Sequence, residues 1–472
     1  MRTHVRLGLL LALVLALAVL AGDTPAYAWS YPAALNTNAA TDSGNDYVPQ
    51  VTTDGAGHWV AVWQSTDSLG GTIGTERDIL VARSTDNGAT WTPPAALNTN
   101  AATDSGGDWY PQVTTDGAGH WVAVWHSNDT LGGTIGTDDD ILVARSTDNG
   151  ATWTDPAALN ANAATDSGYD YYPQVTSDGA GHWVAVWACW DWAGDTIGTD
   201  YDILVARSTD NGATWTAPDA LNTNAATDSG YDADPQVTTD DLGNWVAVWQ
   251  SDDSLGGTIG TDDDMLVARS TNNGATWTAP AALNTNAATD SGHDRYPSVT
   301  TDGGGNWVAV WQSYDSLGGT IGTDWDILVA RSTNNGATWA APAALNANAA
   351  TDSASDVWTQ VTSDGAGNWV AVWYSNDSLG GTIGTDYDIL YATEYVPPPP
   401  TPTPTVTPSP TATPPPGVGG IVEVQVDGSD SPASPADGPD AAGLPYAAIA
   451  GAAAAALGAL GAGGWYARRR VR

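Results

Sequence analysis

Val51-Thr52-Thr53-Asp54-Gly55-Ala56-Gly57-His58-Trp59-Val60-Ala61-Val62-Trp63 recurs, nearly unchanged, from Val113, Val175, Val237, Val299 and Val361. The six copies are spaced by 62 residues each time. A strict long period is the mark of a propeller, a solenoid or an array. Outward from the quoted stretch, the first unit offers four candidate strands. They are PQVTTD from Pro49, WVAVWQS from Trp59, DILVARS from Asp78 and TWTPPAALN from Thr90. Gly- and Asn-rich segments separate them, and the second shows alternating apolar positions. Four strands per unit is the sheet of a propeller blade.

The ends of the repeat array predict how the ring closes. A Trp at the start of the fourth strand recurs at Trp91, Trp153, Trp215, Trp277 and Trp339, and one period earlier lies Trp29, in WSYPAALN. The sixth unit stops at Asp388-Ile389-Leu390-Tyr391, without a fourth strand. The N-terminal segment is therefore expected to supply the missing strand, which leaves no sheet edge exposed. The expected fold is all-β: a six-bladed β-propeller over residues 29–395, its last blade closed by the N-terminal strand.

Composition narrows the function. The 472 residues carry 54 acids against 13 basic residues, all of them Arg, for a formal charge of −41. Phosphate backbones demand Lys and Arg, so nucleic acid is excluded as a partner. One Cys excludes an internal disulfide framework and a thiolate zinc cluster. The abundant acids are natural partners for hard cations such as calcium.

The two ends read as an address and an anchor. Residues 1–28 have the form of a secretory signal: Arg2, His4 and Arg6, then the apolar run Leu7 to Ala21, then Ala26-Tyr27-Ala28 as a cleavage site. Residues 396–417 form a Pro/Thr-rich stalk, which extended polyproline II geometry would stretch to roughly 65 Å. A polar spacer, 418–445, follows. Residues 446–467 are apolar and uncharged, and at ~1.5 Å per residue they are long enough for one transmembrane helix. The basic tail at 468–472 places the C-terminus inside and the propeller outside. The expected location is the cell membrane, single-pass, with the propeller extracellular.

Ser84-Thr85-Asp86-Asn87-Gly88-Ala89-Thr90-Trp91 matches the Asp-box pattern S-x-D-x-G-x-T-W. It recurs from Ser146 and Ser208, and from Ser270 and Ser332 with Asn272 and Asn334 in place of the acid. With five copies at the third-to-fourth strand turn, the chain resembles sialidase-type Asp-box (BNR repeat) propellers over residues 29–395. In that family the box is a fold element remote from the active site. The physics agrees: a short Asp or Asn accepts backbone N–H groups within the turn, and Gly takes positive φ. The Asp-boxes thus mark one face, and the resemblance places ligand chemistry on the other, here called the top.

Differences among the six copies concentrate at the top. The triplets before the first strand read Asp46-Tyr47-Val48, Asp108-Trp109-Tyr110, Asp170-Tyr171-Tyr172, Asp232-Ala233-Asp234, Asp294-Arg295-Tyr296 and Asp356-Val357-Trp358. The candidate ligand-binding residues are Tyr47, Trp109, Tyr110, Tyr171, Tyr172, Trp190, Trp192, Arg295, Tyr296, Trp325 and Trp358. Aromatic faces amid carboxylates suit sugars, because rings stack on C–H surfaces and acids accept from hydroxyls. Packing between neighbouring loops is the alternative. Cys189, alone in the chain, reads as a small buried apolar group.

Asp46, Asp108, Asp170, Asp232, Asp294 and Asp356 are expected to circle the channel mouth, and Asp78, Asp140, Asp202, Asp264, Asp326 and Asp388 open the third strands. Crowded carboxylates must bind cations, take up protons or turn aside to donors. Calcium is the metal hypothesis for the first ring, and acceptance of local backbone N–H groups is the alternative.

The resemblance implies hydrolysis of terminal sialic acids by three arginines around the sugar carboxylate, a Tyr nucleophile paired with Glu, and an Asp acid/base. Here the repeated Arg83, Arg145, Arg207, Arg269 and Arg331 sit next to the Asp-boxes, so the top keeps only Arg77 and Arg295. The family's Arg-Ile-Pro signature near the first strand is missing, and Glu76 is the sole Glu in a top loop. If the chain is an enzyme, its candidates are Arg77, Arg295, Glu76, Asp170 and Tyr171. Three readings follow: a displayed module binding a glycan or a surface protein, a sialidase or related glycoside hydrolase, and a structural envelope component. The incomplete arginine set favours binding over hydrolysis.

Overall fold

The computed structural model describes residues 33–394 apart from 43, 191–196 and 385. The signal segment, the Trp29 strand, Trp192, the stalk, the spacer, the apolar span and the basic tail lie outside the described residues.

Among the described residues, strands form five four-stranded sheets and one three-stranded sheet. The first comprises β1 (Asp46–Thr53), β2 (Trp59–Ser65), β3 (Asp78–Ser84) and β4 (Ala95–Ala96), antiparallel and hydrogen-bonded in that order. The next four sheets repeat this plan, and the last consists of Asp356–Ser363, Trp369–Ser375 and Asp388–Glu394. The architecture is that of six propeller-like blades.

Two strands differ from the sequence expectation. The fourth is only two residues long, because Pro93 and Pro94 have no N–H to give to a ladder. The first begins at Asp46, not Pro49, and its register against β2 shifts between Tyr47 and Gln50. That bulge recurs on the inner strand of every sheet.

The WVAVW strand is buried on both faces, which accounts for its unbroken apolar character. Val60 and Val62 pack with Ile79 and Val81 against Trp121, Ala123 and Trp125 of the following blade. Ala61 and Trp63 face the other way. The same scheme repeats at the next four interfaces. Eight Trp, from Trp121 to Trp311, are fully buried in these strands.

A buried Asn fastens consecutive blades. Asn284 Nδ2 donates to Asp264 of its own blade at 2.7 Å and to Asp294 of the next at 2.8 Å, while its Oδ1 accepts from Met265 N–H at 3.1 Å. Asn160, Asn222 and Asn346 make the same pair of bonds. Asn36 holds Asp46 of the first blade at 2.8 Å.

The Asp-boxes behave as expected. Asp86 accepts from Thr90 N–H at 2.9 Å and Thr90 Oγ1 at 2.6 Å, and Ser84 Oγ donates to it at 2.7 Å. Asn272 keeps the backbone bond, accepting from Thr276 N–H at 3.0 Å. Two residues, not Gly alone, take positive φ: Asn87 at 60° and Gly88 at 79°. The corresponding Gly150 also packs against the preceding blade, where an added Cβ would lie 2.5 Å from Val60 Cγ2.

Candidate functional site

The inner strands of all six blades surround one cavity of about 980 Å³. The bulge determines what enters it. Val48, Tyr110, Tyr172, Asp234, Tyr296 and Trp358 occupy equivalent bulge positions, and all have left-handed backbone, with φ between 51° and 57°. Residues other than Gly adopt this region at a cost that the surrounding structure must offset. Part of the offset is visible in three blades. The backbone N–H groups of Tyr110, Tyr296 and Trp358 donate to Oε1 of Gln64, Gln250 and Gln312 at 2.9, 3.1 and 2.9 Å, each on the preceding blade. All six bulge residues line the cavity. Two positions further along the inner strands, Gln50, Gln112, Gln174, Gln236 and Gln360 also line it.

The predicted ligand residues divide into two groups. Tyr110, Tyr172, Arg295, Tyr296, Trp325 and Trp358 line the cavity. Tyr47, Trp109, Tyr171 and Trp190 lie outside its lining. Of these, Trp109 stacks on His126 at 5.6 Å, and Trp190 stacks on Tyr169 and Tyr201 at 6.0 and 5.6 Å. For this outer group, loop packing describes the contacts. Inside the cavity Tyr296 and Trp358 stack with ring centroids 4.1 Å apart.

The candidate catalytic residues are not brought together. Arg77 sits over the Tyr47 ring, 6.0 Å from its centroid, on the first blade. Glu76 accepts from Thr75 N–H at 2.8 Å on the same blade. Asp170 and Tyr171 belong to the third blade, and burial followed by nearby Asp139 raises the Tyr171 hydroxyl pKa. Arg295, on the fifth, donates through Nε to Asp263 at 2.5 Å.

The inner Asp ring also differs from expectation. Asp108, Asp170, Asp232, Asp294 and Asp356 are almost wholly buried within the blades and do not line the cavity. Asp170, Asp232, Asp294 and Asp356 take the cross-blade Asn bond. Asp46 and Asp108 accept indole N–H groups from Trp63 and Trp125 at 3.0 and 2.9 Å. Residues two apart in a regular strand share a face, and the bulge breaks that period, so the residue two places on from each Asp reaches the cavity while the Asp does not. Burial raises the carboxyl pKa of Asp108, Asp170, Asp232 and Asp294 well above the ordinary range.

Beside Arg295, which the sequence pointed to, the cavity holds polar residues that sequence reasoning missed: Asp234, Asp263 and His293. Burial pushes the Asp234 carboxyl up to about 7, against the opposing effect of Arg295. The signal was available: Asp234 is the one acid among the six bulge residues. Tyr374 and Tyr387 also line the cavity. They meet edge-to-face at 5.3 Å, and burial raises the Tyr374 hydroxyl to about 12.

Six repeated sheets, five of them with an Asp-box turn between the third and fourth strands, define the class: an all-β, propeller-like fold with Asp-box turns. No family model matches the sequence, and no curated protein matches it. Among solved structures, a Hadza microbial sialidase is similar at 16% identity and TM-score 0.42, over 70% of this chain and 63% of that one. The NanB sialidase from Streptococcus pneumoniae is similar at 11% and 0.42, over 73% and 66%. An alpha-L-arabinanase from Penicillium chrysogenum is similar at 15% and 0.41, over 74% and 93%. This chain therefore spans slightly less than two thirds of either sialidase.

Proposed function

We propose that the chain is a surface-displayed carbohydrate-binding propeller that takes glycans at the cavity mouth. The observation that carries this reading is the set of bulge residues. Six positions share one costly backbone conformation, and four of them present Tyr or Trp to a common cavity. Stacking surfaces beside Gln amides and carboxylates are what a sugar ring requires. The signal segment, the stalk and the apolar span support anchorage in a membrane with the propeller outside. The same reading has the Trp29 strand complete the sixth sheet, whose last strand leaves Ile389 and Tyr391 exposed.

The test is a glycan-array screen with the purified full chain, followed by titration of the best ligand. Removing one stacking face costs about 1.4 kcal/mol, so Trp358→Ala is expected to weaken binding about tenfold. Substitutions in the Asp-boxes are expected to leave it unchanged. Absence of any glycan above background, or an unchanged Kd for Trp358→Ala, would overturn the proposal.

One observation favours a hydrolase as a second reading. Asp234 holds a proton near neutral pH beside the Arg295–Asp263 pair, as a general acid must. Turnover of a fluorogenic sialoside between pH 4 and 8 that disappears in Asp234→Asn would establish it. No turnover by a folded protein would remove it.

A further inference from the structure

The top rim carries a second repeated feature, separate from the cavity. Glu76, Asp78 and Asp104 bring three carboxylate oxygens within 4.8 Å of one another. So do Asp138, Asp140 and Asp166; Asp200, Asp202 and Asp228; Asp262, Asp264 and Asp290; and Asp324, Asp326 and Asp352. In each set two acids come from the loop leading into the third strand and one from the loop running to the next blade. Two oxygens that both lie about 2.4 Å from one calcium ion are at most about 4.8 Å apart, so the spacing in each set allows a shared ion.

Proximity of acids alone would carry little weight, but the central acid adds an independent observation. Asp78, Asp140, Asp264 and Asp326 are fully buried. In each, Oδ1 accepts from the cross-blade Asn, while Oδ2 is buried with no hydrogen-bond partner. Neighbouring oxygens of the same sets are also buried without a hydrogen-bond partner, namely Oδ2 of Asp138, Asp262 and Asp324 and Oδ1 of Asp352. Buried polar atoms are ordinarily paired, and a cluster of unpaired oxygens lacks a cation or protons. The chain has no Lys, and no Arg forms an ion pair with any of these acids among the described residues.

We propose that each of these five sets is a site for a divalent, oxygen-liganded cation of the calcium class. Each ion would tie the third strand of one blade to the loop that begins the next. It would reinforce the Asn clamp at the same junction, independently of what the cavity binds. The 62-residue register aligns Asp42, Asp386 and Asp388 with these sets, but among the described residues they do not form one.

The experiment is calcium titration of the chelator-stripped full chain by calorimetry at pH 7.5, with equilibrium dialysis for stoichiometry and thermal melts in calcium against sodium at matched ionic strength. Five equivalents are expected, with a melting temperature raised by calcium. Asp140→Asn is expected to remove one equivalent. Asp138→Asn, at a half-buried position, is expected to do the same if Asp140→Asn fails to fold. Fewer than five equivalents, a stoichiometry unchanged in the variant that folds, or equal stabilisation by sodium would overturn the proposal.

Discussion

The cross-blade Asn offers a sharp test of what holds the ring together. Asn284→Ala removes two hydrogen bonds to buried carboxylates and leaves the Met265 N–H without its acceptor. Burial favours the neutral form of both carboxyls, so each hydrogen bond contributes about 0.5–1.5 kcal/mol, and an orphaned buried donor costs about 1–3 kcal/mol. Simple addition gives a loss of about 2–6 kcal/mol, a large part of the stability of an ordinary domain. Urea unfolding followed by Trp fluorescence is the assay, because Trp307 and Trp311 of the fifth blade are buried at this junction. Asn284→Asp refines the test. It keeps the shape but puts a third acid between Asp264 and Asp294, so its loss is expected to be larger at pH 8 than at pH 5, where protonated carboxyls can donate. A loss below about 1 kcal/mol for Asn284→Ala, or an Asn284→Asp effect that ignores pH, would refute the clamp.

Other expectations follow from the same geometry. Asp148→Ala is expected to cost about 1–3 kcal/mol in thermal melts, whereas Asp148→Asn is near neutral, since Asn272 and Asn334 already serve in two boxes. Trp121→Ala empties a fully buried site between the first two blades and is expected to cost about 3–5 kcal/mol by denaturant titration. The rim acids set the pH response in chelator. Their folded pKa values lie above 3.8, so the stability they contribute is fully present below that value and is lost as pH rises through about 6 to 7. The melting temperature should therefore fall between pH 5 and 8, and a flat or rising profile in calorimetry would contradict the burial of these groups. The Asp-box acids act in the opposite sense. Hydrogen bonds from Thr90 hold Asp86 at about 2, so its contribution is present above the ordinary carboxylate range and is lost only in strong acid.

The blade plan was legible because every unit repeats the same pattern and both faces of the WVAVW strand must be apolar between neighbours. The fourth strand was overestimated because it was extended through Pro93 and Pro94, which cannot join a ladder. The site was legible only in part. Variation at the triplets pointed to the right segment, and Tyr110, Tyr172, Tyr296 and Trp358 do face the cavity. Which member of each triplet points inward was not readable, because a bulge breaks the period of two on which such counting rests. For the same reason Asp108 and its counterparts looked like a ring at the mouth, although they lie buried beneath it. The Asn of AALN gave no warning of its role, since a residue that spans two blades and one that caps its own loop look alike in a single chain.

The Asn clamp also bears on how such a molecule could change size over evolutionary time. Each clamp joins one unit to its successor through residues found at the same offsets in the units on either side. Loss or duplication of one whole 62-residue unit by in-register recombination would therefore leave every junction correctly matched. Only the curvature demanded of the ring would change, and with it the width of the central opening. A cut at any other length would set a clamp against the wrong partner. The near-identity of the copies thus makes blade number a variable that can be altered in whole steps.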